Sequence, residues 1–290
     1  MKHLIVFSLL VCGFASAQLG LKLESEQSCY MRYEQIKLRL TIRNYSGNTL
    51  VFGGADSTER GRLSFVIRNQ ANQLVTSLDP KANPLQDMIL SPGMSRELTL
   101  IINSLFDMQR ADTYKIEAHV EHYRLPHICA SEPILVDVRE GIVWKERVVG
   151  LPMRDGASAI NSVQVKLMQF TDSIGSIWCL RVEDDEHVYG TFRLGPYMSS
   201  STPQMDADGG SAIHILIQVS PRLYSYTVYS MIGEVVKLRQ QVYYVAEGGY
   251  PQLSRASGYL KVINARVAKL GTDYNIKPER DWRKDARNNP

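Results

Sequence analysis

The chain is predicted to be all-β, arranged as two successive β domains, and three observations predict it. Apolar residues recur with a period of two in segment after segment. Turn-forming residues separate those segments. No stretch keeps the 3.6-residue apolar period of an amphipathic helix. With 44% apolar and 22% charged residues among 290, the chain can fill a core and is not compositionally disordered.

Residues 1–17 stand apart. Lys2 and His3 precede an apolar run from Leu4 to Val11, and Ala15-Ser16-Ala17 offers the small side chains that a signal peptidase reads. The run is too short to span a bilayer, and no second apolar stretch follows it. The expectation is a cleaved signal peptide ending at Ala17 and an exported chain, periplasmic or secreted. Val11 is too bulky to precede a lipidated cysteine at Cys12. Export excludes a supply of nucleotide cofactor and contact with a genome, so no cofactor is expected. The net charge of +3 is small, with a slightly acidic first half and a slightly basic second one, and neither half carries the basic stripe that nucleic acid or anionic lipid requires. Cys29, Cys129 and Cys179 remain after cleavage and allow at most one bridge, whose pairing is open.

Residues 18–139 form the first expected domain. Leu19, Leu21 and Leu23 alternate with polar neighbours, as do Ile36, Leu38, Leu40 and Ile42. Asn44-Tyr45-Ser46-Gly47-Asn48 reads as a turn before Thr49 to Phe52. Arg62 to Arg68 and Gln73 to Leu78 flank Asn69-Gln70-Ala71-Asn72, a hairpin pattern. Strands follow at Arg96 to Ile102, Thr113 to Glu121 and Ile134 to Val138. About seven short strands with turns between them describe a β-sandwich.

Residues 140–275 form the second, an antiparallel domain. Pro203-Gln204-Met205 leads through Gly209 into Ser211 to Ile217. Forty-eight residues later Pro251-Gln252-Leu253 leads through Gly258 into Tyr259 to Ile263. This internal repeat has the length of a propeller blade, but too few copies fit to close one, so an open meander is expected. Strands are predicted at Ser176–Glu183, Val188–Leu194, Ser211–Val219, Leu223–Ser230 and Glu234–Val245. The charged residues 276–290 read as a frayed tail.

Two segments of the first domain carry a family resemblance. Ala111-Asp112-Thr113-Tyr114-Lys115-Ile116-Glu117-Ala118-His119-Val120 resembles the penultimate strand of immunoglobulin-like domains, in which a tyrosine at the strand entry bonds back to the preceding turn. Leu90-Ser91-Pro92-Gly93-Met94-Ser95 resembles the proline-glycine turn of exported bacterial immunoglobulin-like domains, a class of proteinase inhibitors among them. The resemblance covers residues 19–139 as strand pattern. It implies a structural role for Tyr114 and no inter-sheet disulfide, because Ile116 stands at the cysteine position.

Several clusters carry possible chemistry. His119, Glu121, His122, His127 and Cys129 lie close in sequence and are ligand types that zinc accepts, although in no known zinc spacing. Asp206 and Asp208 precede Gly209-Gly210 as a loop that calcium could use, or as an ordinary tight turn. Tyr224 and Tyr226 share a strand face, with Tyr243 expected across the hairpin, and together they are the favoured ligand or partner surface. No nucleophile elbow, zinc-protease helix or phosphate loop occurs. The sequence therefore reads as an exported, non-catalytic binding protein for an extracytoplasmic protein or polysaccharide, acting through the Tyr-rich half. A secreted hydrolase is the alternative and a proteinase inhibitor the third reading.

Overall fold

A computed structural model describes residues 18–53, 61–151, 162–256 and 258–275. The expected signal peptide and charged tail lie outside them. The chain is all-β. Its strands begin with β1 (Leu19–Ser25), β2 (Cys29–Met31), β3 (Lys37–Asn44), β4 (Leu50–Val51), β5 (Arg62–Arg68), β6 (Ile89–Leu90) and β7 (Ser95–Ile101). There follow β8 (Asp112–Glu121), β9 (Cys129–Ala130), β10 (Ile134–Arg139), β11 (Ile142–Gly150), β12 (Ser162–Thr171), β13 (Ser176–Glu183) and β14 (Val188–Pro196). The last are β15 (Gln204–Ala207), β16 (Ile213–Ser220), β17 (Leu223–Ile232), β18 (Val235–Ala246), β19 (Gln252–Ala256), β20 (Tyr259–Ile263) and β21 (Ala265–Val267). Among the described residues no sheet closes into a barrel, and no helix is long and apolar enough to cross a membrane.

The described residues divide into two units, 18–28 with 35–137 and 29–34 with 138–275. The first holds a β1-β3-β7 sheet and a sheet in which β10, β8 and β5 are neighbours. Period two explains its core: Leu38, Leu40 and Ile42 are buried from β3, Leu63 and Ile67 from β5, and Ile116, Ala118 and Val120 from β8. Asn44 organises the turn after β3. Its side-chain amide donates to the carbonyls of Asn48 and Leu90, and its oxygen accepts from the Ser46 amide and hydroxyl.

The strand expected at Gln73–Leu78 does not form. Only isolated bridges join Arg68 to Leu74 and Ser77 to Phe106, and Leu74 and Leu78 stay exposed. The Asn69–Asn72 turn does form, with Asn72 at φ +61° donating to the Asn69 carbonyl. The Tyr114 hydroxyl donates to the Arg110 carbonyl at 2.8 Å. Tyr114→Phe keeps the ring and loses that bond, so it should lower the unfolding free energy by about 1 kcal/mol in urea titration.

The second unit has a four-stranded sheet, β11-β12-β13-β14, and a five-stranded one, β15-β16-β17-β18-β21, with the β19-β20 hairpin beside them. Val165, Leu167, Leu180 and Val182 of the first sheet pack against Ile213, Ile215, Ile217 and Tyr229 of the second. The other face of the second sheet is also covered: Leu216, Tyr224, Tyr226 and Val228 meet Leu253 and Val262 of the hairpin. Cover on both faces explains why β16 is buried without a break from Ile213 to Gln218. Gln204 ties the hairpin down. Its amide donates to the Pro251 carbonyl at 3.1 Å, and its oxygen accepts the Leu253 N–H at 2.8 Å. The β17-β18 turn falls at Gly233-Glu234 rather than at Met231-Ile232-Gly233, because Gly233 alone takes the left-handed conformation, φ +63°.

Residues 29–34 lie across the face of β13 and β14. Arg193 on β14 reaches Glu34, Asp172 and the Cys29 carbonyl, while Arg181 on β13 donates to the Arg32 carbonyl at 2.8 Å. Tyr33, at φ +67°, turns the segment and lies under the Arg181 guanidinium.

Candidate interaction surface

The structure relocates most of the residues that sequence singles out, and register is the common reason. In an antiparallel pair, directly opposed residues share a face. His119 opposes Ala130, whereas Cys129 opposes Val120 and therefore turns toward the core. Burial pushes the Cys129 thiol up, away from the thiolate a metal needs. His119 instead meets Glu117 at 3.4 Å, and Glu121 and His127 are exposed. His122 is buried: its Nδ1 accepts the Arg124 N–H at 3.0 Å, leaving Nε2–H to donate to the Val51 carbonyl. Among the described residues no three ligating side chains converge on a metal position.

Asp206 and Asp208 are occupied by the protein itself. Asp206 pairs with Arg147 and with Arg255, the latter at 3.0 Å. Asp208 accepts the Gly210 and Ala212 N–H groups, both at 2.9 Å, and meets His214 Nε2 at 3.1 Å. Burial alone would raise both carboxyls. For Asp206 the bonds from Arg255 and the Ala207 N–H outweigh it, and for Asp208 those from the Ala212 N–H and His214, so both are held below the usual range. A depressed folded pKa gives stability that is present above the unfolded value and lost as pH falls through the folded one. The urea midpoint should therefore hold between pH 7 and about 5 and drop below about pH 4. Asp208→Asn should flatten part of that acid loss.

The tyrosine surface is corrected. Tyr224 and Tyr226 are buried beneath the β19-β20 hairpin, and Tyr243 opposes Ser225, one residue out of register with both. The residue that joins them is Tyr244, whose ring meets Tyr226 edge-on at 6.0 Å. Tyr243 stacks instead near Tyr274. Below the hairpin, His214 joins two groups that sequence does not connect. The Asp208 carboxylate can only accept, so His214 Nε2 carries the proton and Nδ1 accepts the Tyr226 hydroxyl at 2.6 Å. This Asp-His-Tyr chain has the connectivity of an acid-base relay. Burial raises the Tyr226 hydroxyl, which already bonds His214, so the chain delivers no nucleophile to solvent. Cys179 is equally unsuited: burial, then the Glu34 carboxylate, pushes its thiol up to about 12.

The first unit holds a cavity of about 210 Å³ whose lining includes Leu63, Phe65, Ser77, Asp79, Leu105 and Phe106. Its Arg62 is already tied to the Pro80 carbonyl.

The feature that sequence does not reveal is β11. It is the edge of its sheet, and Val149 is its one buried residue. Ile142 is 71% exposed, Val143 46%, Trp144 51% and Val148 63%. The register with β12 shifts between Val143 and Lys145, leaving Trp144 as an unpaired bulge residue. Its ring meets the buried Trp178 edge-on at 5.6 Å, and Trp178 in turn contacts Tyr197. Below the bulge, Lys145 and Arg147 turn toward the second sheet, reaching the Met205 carbonyl and Asp206. Glu146 and Val148 take the opposite face, opposing Lys166 and Gln164. The open backbone groups of an edge can pair with other chains; β11 combines such an edge with a bulge, a charged centre at Lys145-Glu146-Arg147 and exposed apolar residues on either side of it. No protein-family model matches this chain, and no curated protein is significantly similar to it.

Proposed function

We propose that this chain is an exported, non-catalytic binding protein whose contact surface is β11 rather than the tyrosines. One observation carries the proposal: β11 exposes Ile142, Val143, Trp144 and Val148 on an unpaired sheet edge. An edge supplies main-chain donors and acceptors, which favour a protein partner over a polysaccharide. The half-exposed Trp144, backed by Trp178, supplies an aromatic anchor of the kind found at interface centres. Export is supported by the pattern of residues 1–17. The bond from Tyr114 to Arg110 supports an immunoglobulin-like reading of the first unit, which would then serve as spacer or docking module.

The test is retention of extracytoplasmic proteins on the immobilised mature chain, compared with Trp144→Ala and Val148→Lys. Both positions are half-exposed or more, so Val148→Lys should shift stability by no more than about 0.5 kcal/mol. The expected result is a partner held by the wild type and lost from both variants, with the melting temperature of Val148→Lys unchanged. Undiminished retention by both variants would refute the proposal.

A further inference from the structure

We infer that β11 accepts an extended segment of its partner as a fifth strand of the β11-β12-β13-β14 sheet, and that this segment alternates acidic and apolar side chains. The inference rests on the β11 reading above and specifies the partner's chemistry.

Among the described residues, the backbone of residues 142–149 pairs only with β12, so the opposite edge is open to a ladder. The two faces of β11 differ. On one, Lys145 and Arg147 stand beside Arg255, and Asp206 is the single carboxylate bonded to both arginines. Three cations against one anion leave positive charge beside the edge. On the other, Val143 and Val148 are exposed and apolar, and Glu146 between them opposes Lys166 of β12. A strand laid along β11 places successive side chains on alternate faces, so its first set meets the cations and its second the valines.

A second copy of the chain fits less well. Antiparallel pairing about a two-fold axis sets one residue opposite itself. Centring on Lys145, Glu146 or Arg147, the registers that pair most of the strand, opposes like charges at its middle, which is unfavourable; centring nearer an end pairs fewer residues.

The probe is a labelled nine-residue peptide alternating glutamate and valine, titrated into the full mature chain by fluorescence polarisation. It is compared with its lysine-valine counterpart and with two versions N-methylated at alternate residues. The glutamate peptide should bind about tenfold more tightly than the lysine peptide. Methylation of one alternate set should abolish binding and methylation of the other should spare it, because only every second amide of an added strand faces β11. Lys145→Glu should reduce the preference for the acidic peptide. Equal binding of both charge types, or full binding by both methylated peptides, overturns the inference. If no peptide binds while Trp144→Ala and Val148→Lys still lose a retained partner, strand addition falls and the β11 reading stands. If those variants also retain every partner, both fall. A mature chain that is dimeric and becomes monomeric on Val148→Lys identifies a second copy as the occupant, which equally overturns the proposal.

Discussion

Arg193→Met is expected to destabilise the second unit by about 3–5 kcal/mol, because it strands two buried carboxylates at once. Arg193 Nε donates to Glu34 Oε1 at 2.6 Å, Nη1 to Asp172 Oδ2 at 2.6 Å, and Nη2 to the Cys29 carbonyl at 2.7 Å. Its guanidinium also lies over the Phe170 ring at 5.6 Å. The Glu34 and Asp172 side chains are largely buried, so neither can recover its lost partner from water. Burial pushes Asp172 up, yet the Ile174 N–H and Arg193, with the Gly175 N–H, hold it below the usual range; without Arg193 only the two backbone bonds still oppose the burial penalty.

The pH dependence follows from the loss of Arg193 at Asp172. One of the interactions that hold that carboxyl down is gone, so the loss relative to wild type is full at pH 7 and shrinks as the carboxyl protonates toward about pH 4. Urea unfolding of the variant at both pH values tests this. Glu34→Gln with Asp172→Asn, added to Arg193→Met, should restore much of the loss. A second readout is thiol labelling. Cys29 and Cys179 are buried in one cluster with Met31, Met168 and Phe170, and both should become reactive in the variant once residues 29–34 lift from β13 and β14. Unchanged labelling and an unmoved midpoint would show that the ion pairs do not hold the segment.

Which parts of this were legible in the sequence depends on how many faces of a strand are covered and by what. Strands with one wet face, such as β1, β3 and β8, announce themselves by alternation, and their limits fall within a residue or so of expectation. β12 carries the same signal in Val163, Val165 and Leu167. β11 does not, because the bulge at Trp144 puts an extra residue into the count and its flanking side chains stay exposed on both faces. The candidate sites failed differently. Period two tells which residues of one strand share a face, but not which residues of the next strand join them. A one-residue offset separates Cys129 from His119 and Tyr243 from Tyr226, and register is set by turns and packing that lie outside either segment. The association of residues 29–34 with β13 and β14 is a long-range contact made by single arginines, for which no local pattern exists.

The same burial decides what the tyrosines do. Tyr226→Ala is expected to cost about 3–5 kcal/mol, the loss typical of a buried aromatic ring, rather than to leave folding intact and abolish binding. Tyr226 is 6% exposed, packed with Leu216, Tyr224 and Val228 beneath Leu253 and Val262. Removing the ring opens a cavity and leaves His214 Nδ1 without its donor. Tyr226→Phe separates the two effects: it keeps the ring, loses the 2.6 Å bond and should cost about 1–3 kcal/mol. Tyr250→Ala and Tyr259→Ala serve as controls, since both rings are exposed and each change should move stability by no more than about 0.5 kcal/mol. Chemical denaturation of the four variants tests the ordering. If Tyr226→Ala unfolds at the wild-type midpoint and loses a bound partner, the contact surface returns to the tyrosines and β11 loses its claim. If the ordering holds, any binding lost by Tyr226→Ala is lost with the sheet that carries it, while Val148→Lys removes binding from a protein that remains folded.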